Sequence, residues 1–163
     1  MIFTTKAEYG VRLLIQLGLK GPGRPVALKA IAEAENLPLA YLERIAALLK
    51  KAELIQSTRG AHGGYLLAKP ADEITMDQVV LALEGKIAPM DCFVEVPEGA
   101  TAEEMHHRIA CNHHGADGHA CATKLLWTRV QLGVIKSLQR TTLAELVAFA
   151  QLPTTTTEPV PHG

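Results

Sequence analysis

Apolar and polar residues alternate along this chain with helical rather than strand spacing. In "TTKAEYGVRLLIQLGLK" the apolar positions Val11, Leu14, Ile15 and Leu19, with Leu13 beside them, fall on one stripe, and Thr4 or Thr5 can cap the start. "KGPGRP" then stops the helix, because Gly and Pro break it. "VALKAIAEAENL" predicts a short second helix with Leu28, Ile31 and Ala32 inward. After the tight connection "NLPLAY", in which Pro38 suits a helix start, "LAYLERIAALLKKAE" predicts a third. Its inward face is Leu42, Ile45, Leu48 and Leu49, and its outward face is Tyr41, Glu43, Arg44, Lys50 and Lys51.

The period changes in "LIQSTRGAHGGYLLAKP". Two short extended runs, "LIQST" and "YLLAK", flank "RGAHGG", where Gly60, Gly63 and Gly64 permit a sharp reversal. "ITMDQVVLALEG" predicts a helix capped by Thr75 and closed by Gly85. Residues 86–121 are irregular, and a connection that long is usually functional or disordered. "ATKLLWTRVQLGVIKSLQRTT" returns to a helix with Leu126, Val130, Val134 and Leu138 on one stripe and Leu125 and Trp127 alongside. "TLAELVAFAQL" is a last helical piece, and "PTTTTEPVPHG" has the composition of a disordered tail. The expected class is mainly α: a winged helix-turn-helix with a two-stranded β wing and a long C-terminal dimerisation helix. Four segments are expected: a winged helix-turn-helix unit over 1–85, a cysteine-containing loop over 86–121, the dimerisation and C-terminal helices over 122–152, and the tail over 153–163.

Composition sharpens this picture. Aromatics are only 4% of the 163 residues against 48% hydrophobic overall, so the core is aliphatic and suits helices. The net charge of −1 hides a split. Residues 1–70 hold ten Lys and Arg against five Asp and Glu, and residues 71–163 hold six against twelve. A basic first half facing a polyanion fits the helix-turn-helix order. No apolar run approaches membrane-spanning length, and "MIFTTKAEYGVRLL" lacks the marks of a secretory signal, so a cytoplasmic location and no membrane partner are expected.

In a winged helix the third helix can lie in the major groove, where base edges are distinguishable. Arg44 could then donate to guanine and Glu43 accept from cytosine, with Tyr41 and Lys50 on phosphates. At the hairpin tip Arg59 could enter the minor groove, beside His62 and the backbone N–H groups of Gly63 and Gly64. A solvated helix face and an ordinary turn are the plainer readings of the same residues.

The segments "LERIAALLKKAELIQSTRGAHGGYLLAKP", "ITMDQVVLALEG" and "CATKLLWTRV", with "TTKAEYGVRLLIQL" and "TTLAELV", resemble the bacterial IscR/NsrR-type (Rrf-type) family of winged-helix transcription regulators over roughly residues 1–150. "RGAHGGY" is the most specific part. The resemblance implies a homodimer on palindromic double-stranded DNA, joined through a helix at about 122–140. It also makes Glu43 and Arg59 the foremost DNA contacts.

The three cysteines, Cys92, Cys111 and Cys121, are an odd number in a chain read as cytoplasmic, where close thiols more often serve metal or redox chemistry than structural disulfides. By the resemblance they would hold an iron–sulfur cluster (2Fe-2S or 4Fe-4S), to which soft thiolates are suited. The match departs in spacing: eighteen residues separate the first pair and nine the second, wider than the family's usual pattern. The histidine that IscR-like members place three residues after the last cysteine is Lys124 here. Other members use an acidic residue from the partner subunit's N-terminal region, and the matching position is Glu8. Glu8 is equally placed for a surface pair with Arg12 four residues on.

"CNHHGADGHAC" also offers tetrahedral zinc Cys111, His113 or His114, His119 and Cys121. A disulfide between Cys111 and Cys121 would make a redox switch. Two functions therefore stand: a regulator controlled by an iron–sulfur cluster, or a cluster-free regulator using zinc, thiols, or a protein or small-molecule partner. An enzyme with an activated cysteine is disfavoured, since no third orienting group stands at a readable spacing.

Overall fold

The computed structural model describes residues 3–60, 63–87 and 122–153. Helices α1 (Thr5–Lys20), α2 (Leu28–Glu35) and α3 (Leu39–Lys51) are followed by strands β1 (Ile55–Thr58) and β2 (Gly64–Leu67). A 3-10 turn (Ala71–Glu73), α4 (Met76–Glu84), the long α5 (Ala122–Arg140) and α6 (Leu143–Ala150) complete the described elements. This is the mainly α winged helix-turn-helix read from the pattern. No described helix is long and apolar enough to cross a membrane.

Thr4 caps α1: its side chain accepts from the Lys6 N–H at 3.2 Å. The same residue donates its hydroxyl and its N–H to Glu84 Oε1, at 2.6 and 3.2 Å, so the start of α1 is tied to the end of α4. The buried stripe of α1 is Ala7, Gly10, Leu13, Leu14 and Leu17, rotated from the expected one. Val11, Ile15 and Leu19 are only half-buried. Gly10 causes the shift, because a Cβ there would overlap the Leu83 side chain; its absence lets α4 press on that face.

α2 buries Leu28, Ile31 and Ala32, and ends at Asn36 in the left-handed region, with φ 53. α3 starts from Pro38 and buries Leu42, Ile45, Ala46 and Leu49. The hairpin pairs antiparallel from Ile55↔Leu67 to Thr58↔Gly64. A bridge between Val26 and Tyr65, with N–H···O distances of 2.8 and 2.9 Å, ties β2 to the residue before the α2 cap. Thr75 precedes α4 as expected, but its hydroxyl goes to Asp77 rather than capping the helix.

One aliphatic core runs through α1–α4 and β1, and it includes Leu143 of α6, which is fully buried beside Ile74. The Leu143 N–H donates to the Ile74 carbonyl at 2.8 Å, and the Met76 N–H to the Thr141 carbonyl at 3.0 Å. A capping box between Thr142 and Glu145 starts α6 at this junction. The C-terminal helix thus shares one core with α1–α4. Between them, α5 leaves Leu125, Leu126 and Leu132 exposed, at 51%, 55% and 41%. That open apolar face is what a dimerisation helix offers its partner. Gln131 on α5 donates to the Ile87 carbonyl at 2.7 Å, which fixes the helix beside the end of α4.

Candidate nucleic-acid interface

On α3, Glu43 and Arg44 are exposed and point away from the core stripe. Tyr41 is half-buried, and its ring meets Tyr9 of α1 edge-on, with centroids 5.7 Å apart and planes at 90°. Among the described residues Arg44 has no hydrogen bond or ion pair. Neither has Arg59, which is exposed near the wing tip.

Lys50 has a partner within the described residues. Its ammonium donates to Ser57 Oγ at 2.8 Å, joining the last turn of α3 to β1. The group expected on a phosphate therefore also ties α3 to the wing. Periodicity could not show this, since the partners lie on different element types.

The glycines of the wing do distinct work. Gly60 has φ 120, a conformation that L side chains rarely adopt. The Gly63 N–H, expected to face the sugar-phosphate chain, is donated to the Gly60 carbonyl at 2.9 Å and closes the turn. A Cβ at Gly64 would overlap the Val26 carbonyl oxygen, so this position lets the wing lie directly on the segment before α2. His62 lies outside the described residues.

Of the candidate cluster ligands, Glu8 is exposed; its Oε1 accepts from Arg12 Nε at 2.9 Å and lies 2.8 Å from Nη2, an ion pair four residues apart on the helix. Arg12 also reaches Glu35 at 3.7 Å. Lys124 lies in the first turn of α5. Cys92, Cys111, Cys121 and the histidines between residues 106 and 119 lie outside the described residues. Among the described residues no three His, Cys, Asp or Glu side chains gather as a metal site.

The Glu84 carboxyl is held off its ordinary value. Burial pushes it up. The Thr4 hydroxyl, the Thr4 N–H, the Lys6 ammonium at 3.6 Å and the Ala7 N–H together outweigh that and leave it below the usual range.

Residues 3–149 match the family model Rrf2, described as iron-dependent transcriptional regulator. The chain is 36% identical to "Protein rrf2" of Nitratidesulfovibrio vulgaris, over 93% of this chain and 91% of that one. Its structure is similar to that of CymR, the global cysteine regulator of B. subtilis, at 33% identity and TM-score 0.68, covering 91% and 98% of the two chains. It is similar to T. potens IscR at 29% identity and TM-score 0.69, covering 94% and 93%. Fold, wing and open long helix agree with these matches, and the chain belongs to the Rrf2 family: it is a homodimeric, non-catalytic, DNA-binding transcriptional regulator.

Proposed function

We propose that the dimer reads a palindromic operator with α3 in the major groove and the wing in the flanking minor groove, and that its occupancy is set without a resident iron–sulfur cluster. Control then passes through the thiols, or through a partner protein or small molecule. The observation that carries the DNA reading is the pair of exposed cations, Arg44 on α3 and Arg59 on the wing, neither of which has a partner among the described residues. A guanidinium left open in this way is available for bidentate contact to guanine or for a narrow groove.

Four observations support cluster-free control. Glu8 is already engaged by Arg12. Lys124 stands where a ligating histidine is expected, and the cysteine spacing is wide. Likeness to the cysteine regulator CymR is as strong as likeness to IscR. A second reading has its own support in the family's iron-dependent description and in the number and order of the thiols. Cys92, Cys111 and Cys121 would then hold the cluster, with Glu8 reaching across from the partner subunit.

Purification under argon, with iron and sulfide assays and operator binding across a salt series, tests both halves. The expected protein is colourless and keeps its operator affinity after chelation. Its binding falls steeply with salt, as phosphate neutralisation requires. Iron and sulfide that are bound by the wild type and lost in Cys92→Ala, Cys111→Ala and Cys121→Ala would replace this reading with the cluster-dependent one. Salt-independent binding would remove the DNA geometry.

A further inference from the structure

A shallow trench of about 540 Å³ runs between the start of α1 and the start of α3, lined by Thr5, Tyr9, Pro38, Ala40, Tyr41 and Arg44. We propose that this trench seats one backbone phosphate of the bound duplex, with Thr5 and Tyr9 of α1 donating their hydroxyls beside the Arg44 guanidinium. The inference rests on the DNA reading above and extends it to α1, a helix to which the sequence pattern assigned no DNA contact.

Three features of the trench match a sugar-phosphate chain. Its polar groups are donors left open: among the described residues no side-chain hydrogen bond engages Thr5, Tyr9, Tyr41 or Arg44. A phosphate offers only acceptors and a negative charge, which is the complement of two hydroxyls and a guanidinium. The remaining walls are apolar, from Pro38, Ala40 and the tyrosine rings, and so suit a deoxyribose face. The trench is open along the surface, which suits a polymer passing over it more than an enclosed metabolite. It is also continuous with the reading helix, since Arg44 belongs to both. The edge-on contact of Tyr9 with Tyr41 fixes the α1 hydroxyl relative to α3. Phosphate contacts of this kind set register and carry no base preference.

The test uses the full-length dimer and a short duplex that the wild type selects from a random pool. Tyr9→Phe keeps the ring and removes only the hydroxyl, and Thr5→Ala is the second variant. Each is expected to weaken binding about two- to tenfold, equally for the selected and an unrelated duplex. Single neutral methylphosphonate linkages, walked along each half-site, should reveal one position that weakens the wild type but not Tyr9→Phe.

Variants that bind as the wild type does, with the same set of sensitive linkages, overturn the inference. So does binding of inorganic phosphate that the variants lose while their duplex affinity is unchanged, which would mark a small-anion site. Arg59→Ala separates the levels. If the wild type selects a duplex and Arg59→Ala weakens it while Tyr9→Phe does not, only the trench assignment fails. If the wild type selects none, the DNA reading fails with it.

Discussion

Gly64→Ala is expected to destabilise the protein by about 2–4 kcal/mol. The new Cβ would overlap the Val26 carbonyl oxygen, stand 2.5 Å from its carbon and 2.9 Å from Ala27 N. All three are backbone atoms, so no side-chain rotation relieves the clash. β2 must move off the segment before α2, which breaks the two Val26–Tyr65 hydrogen bonds of 2.8 and 2.9 Å, each worth about 1 kcal/mol net. Overpacking adds about 1–3 kcal/mol, and the smaller unfolded-state entropy of Ala returns about 0.5–1 kcal/mol. Urea unfolding at fixed protein concentration, which a dimer requires, reads the difference. Gly23→Ala is the control: its φ of 72 carries backbone strain, but nothing stands within 4 Å, so a loss of about 1 kcal/mol is expected. Operator affinity should fall in Gly64→Ala and not in Gly23→Ala, because only the former releases the wing. A Gly64→Ala protein within about 0.5 kcal/mol of wild type, with the Val26 and Tyr65 amides still protected from hydrogen exchange, would refute the reasoning.

The depressed Glu84 carboxyl makes a pH prediction: its contribution is present above the ordinary carboxylate range and is lost as pH falls through its lowered value. Urea midpoints measured from neutral to strongly acid pH should fall less for Glu84→Gln than for wild type, the variant starting lower at neutral pH. Arg59→Ala should weaken operator binding by about 1–3 kcal/mol and relax sequence preference. Lys50→Ala should behave like Ser57→Ala if the 2.8 Å tether is its main role, and should lower the salt slope by about one if it also meets a phosphate. Leu126→Asp, at a side chain 55% exposed in one subunit, should yield monomers in sedimentation experiments at concentrations where the wild type is dimeric.

The parts of this fold that were legible in the sequence are those in which a regular period meets a large side chain. Leu28 and Ile31 of α2, and Leu42, Ile45 and Leu49 of α3, announce their inward faces by size and spacing. The wing announced itself through its glycines. α1 was misjudged in rotation because its closest contact is made by Gly10, a residue that carries no hydrophobic signal at all. Long-range polar ties were equally silent. Thr4 and Glu84 are eighty positions apart, and no local pattern joins them. The site divided along the same line: Arg44 and Arg59 were visible as cations on predicted outer surfaces. The engagement of Lys50 by Ser57, and the approach of Tyr9 to Tyr41, depend on how separate elements dock. The Glu8–Arg12 pair was readable, since four residues on a helix make neighbours.

The long helix α5 is pinned at two places, by Gln131 to Ile87 midway along and by the Thr141–Met76 junction at its far end. It is therefore fastened to the α1–α4 core at both points, and on the DNA reading proposed above it is an arm joined to the reading head rather than a hinged stalk. A signal that tilts the two arms against each other must swing each head as a whole. On the operator reading proposed above, what changes is the span between the two half-sites that the dimer can straddle, while each head's own grip on its bases stays as it was.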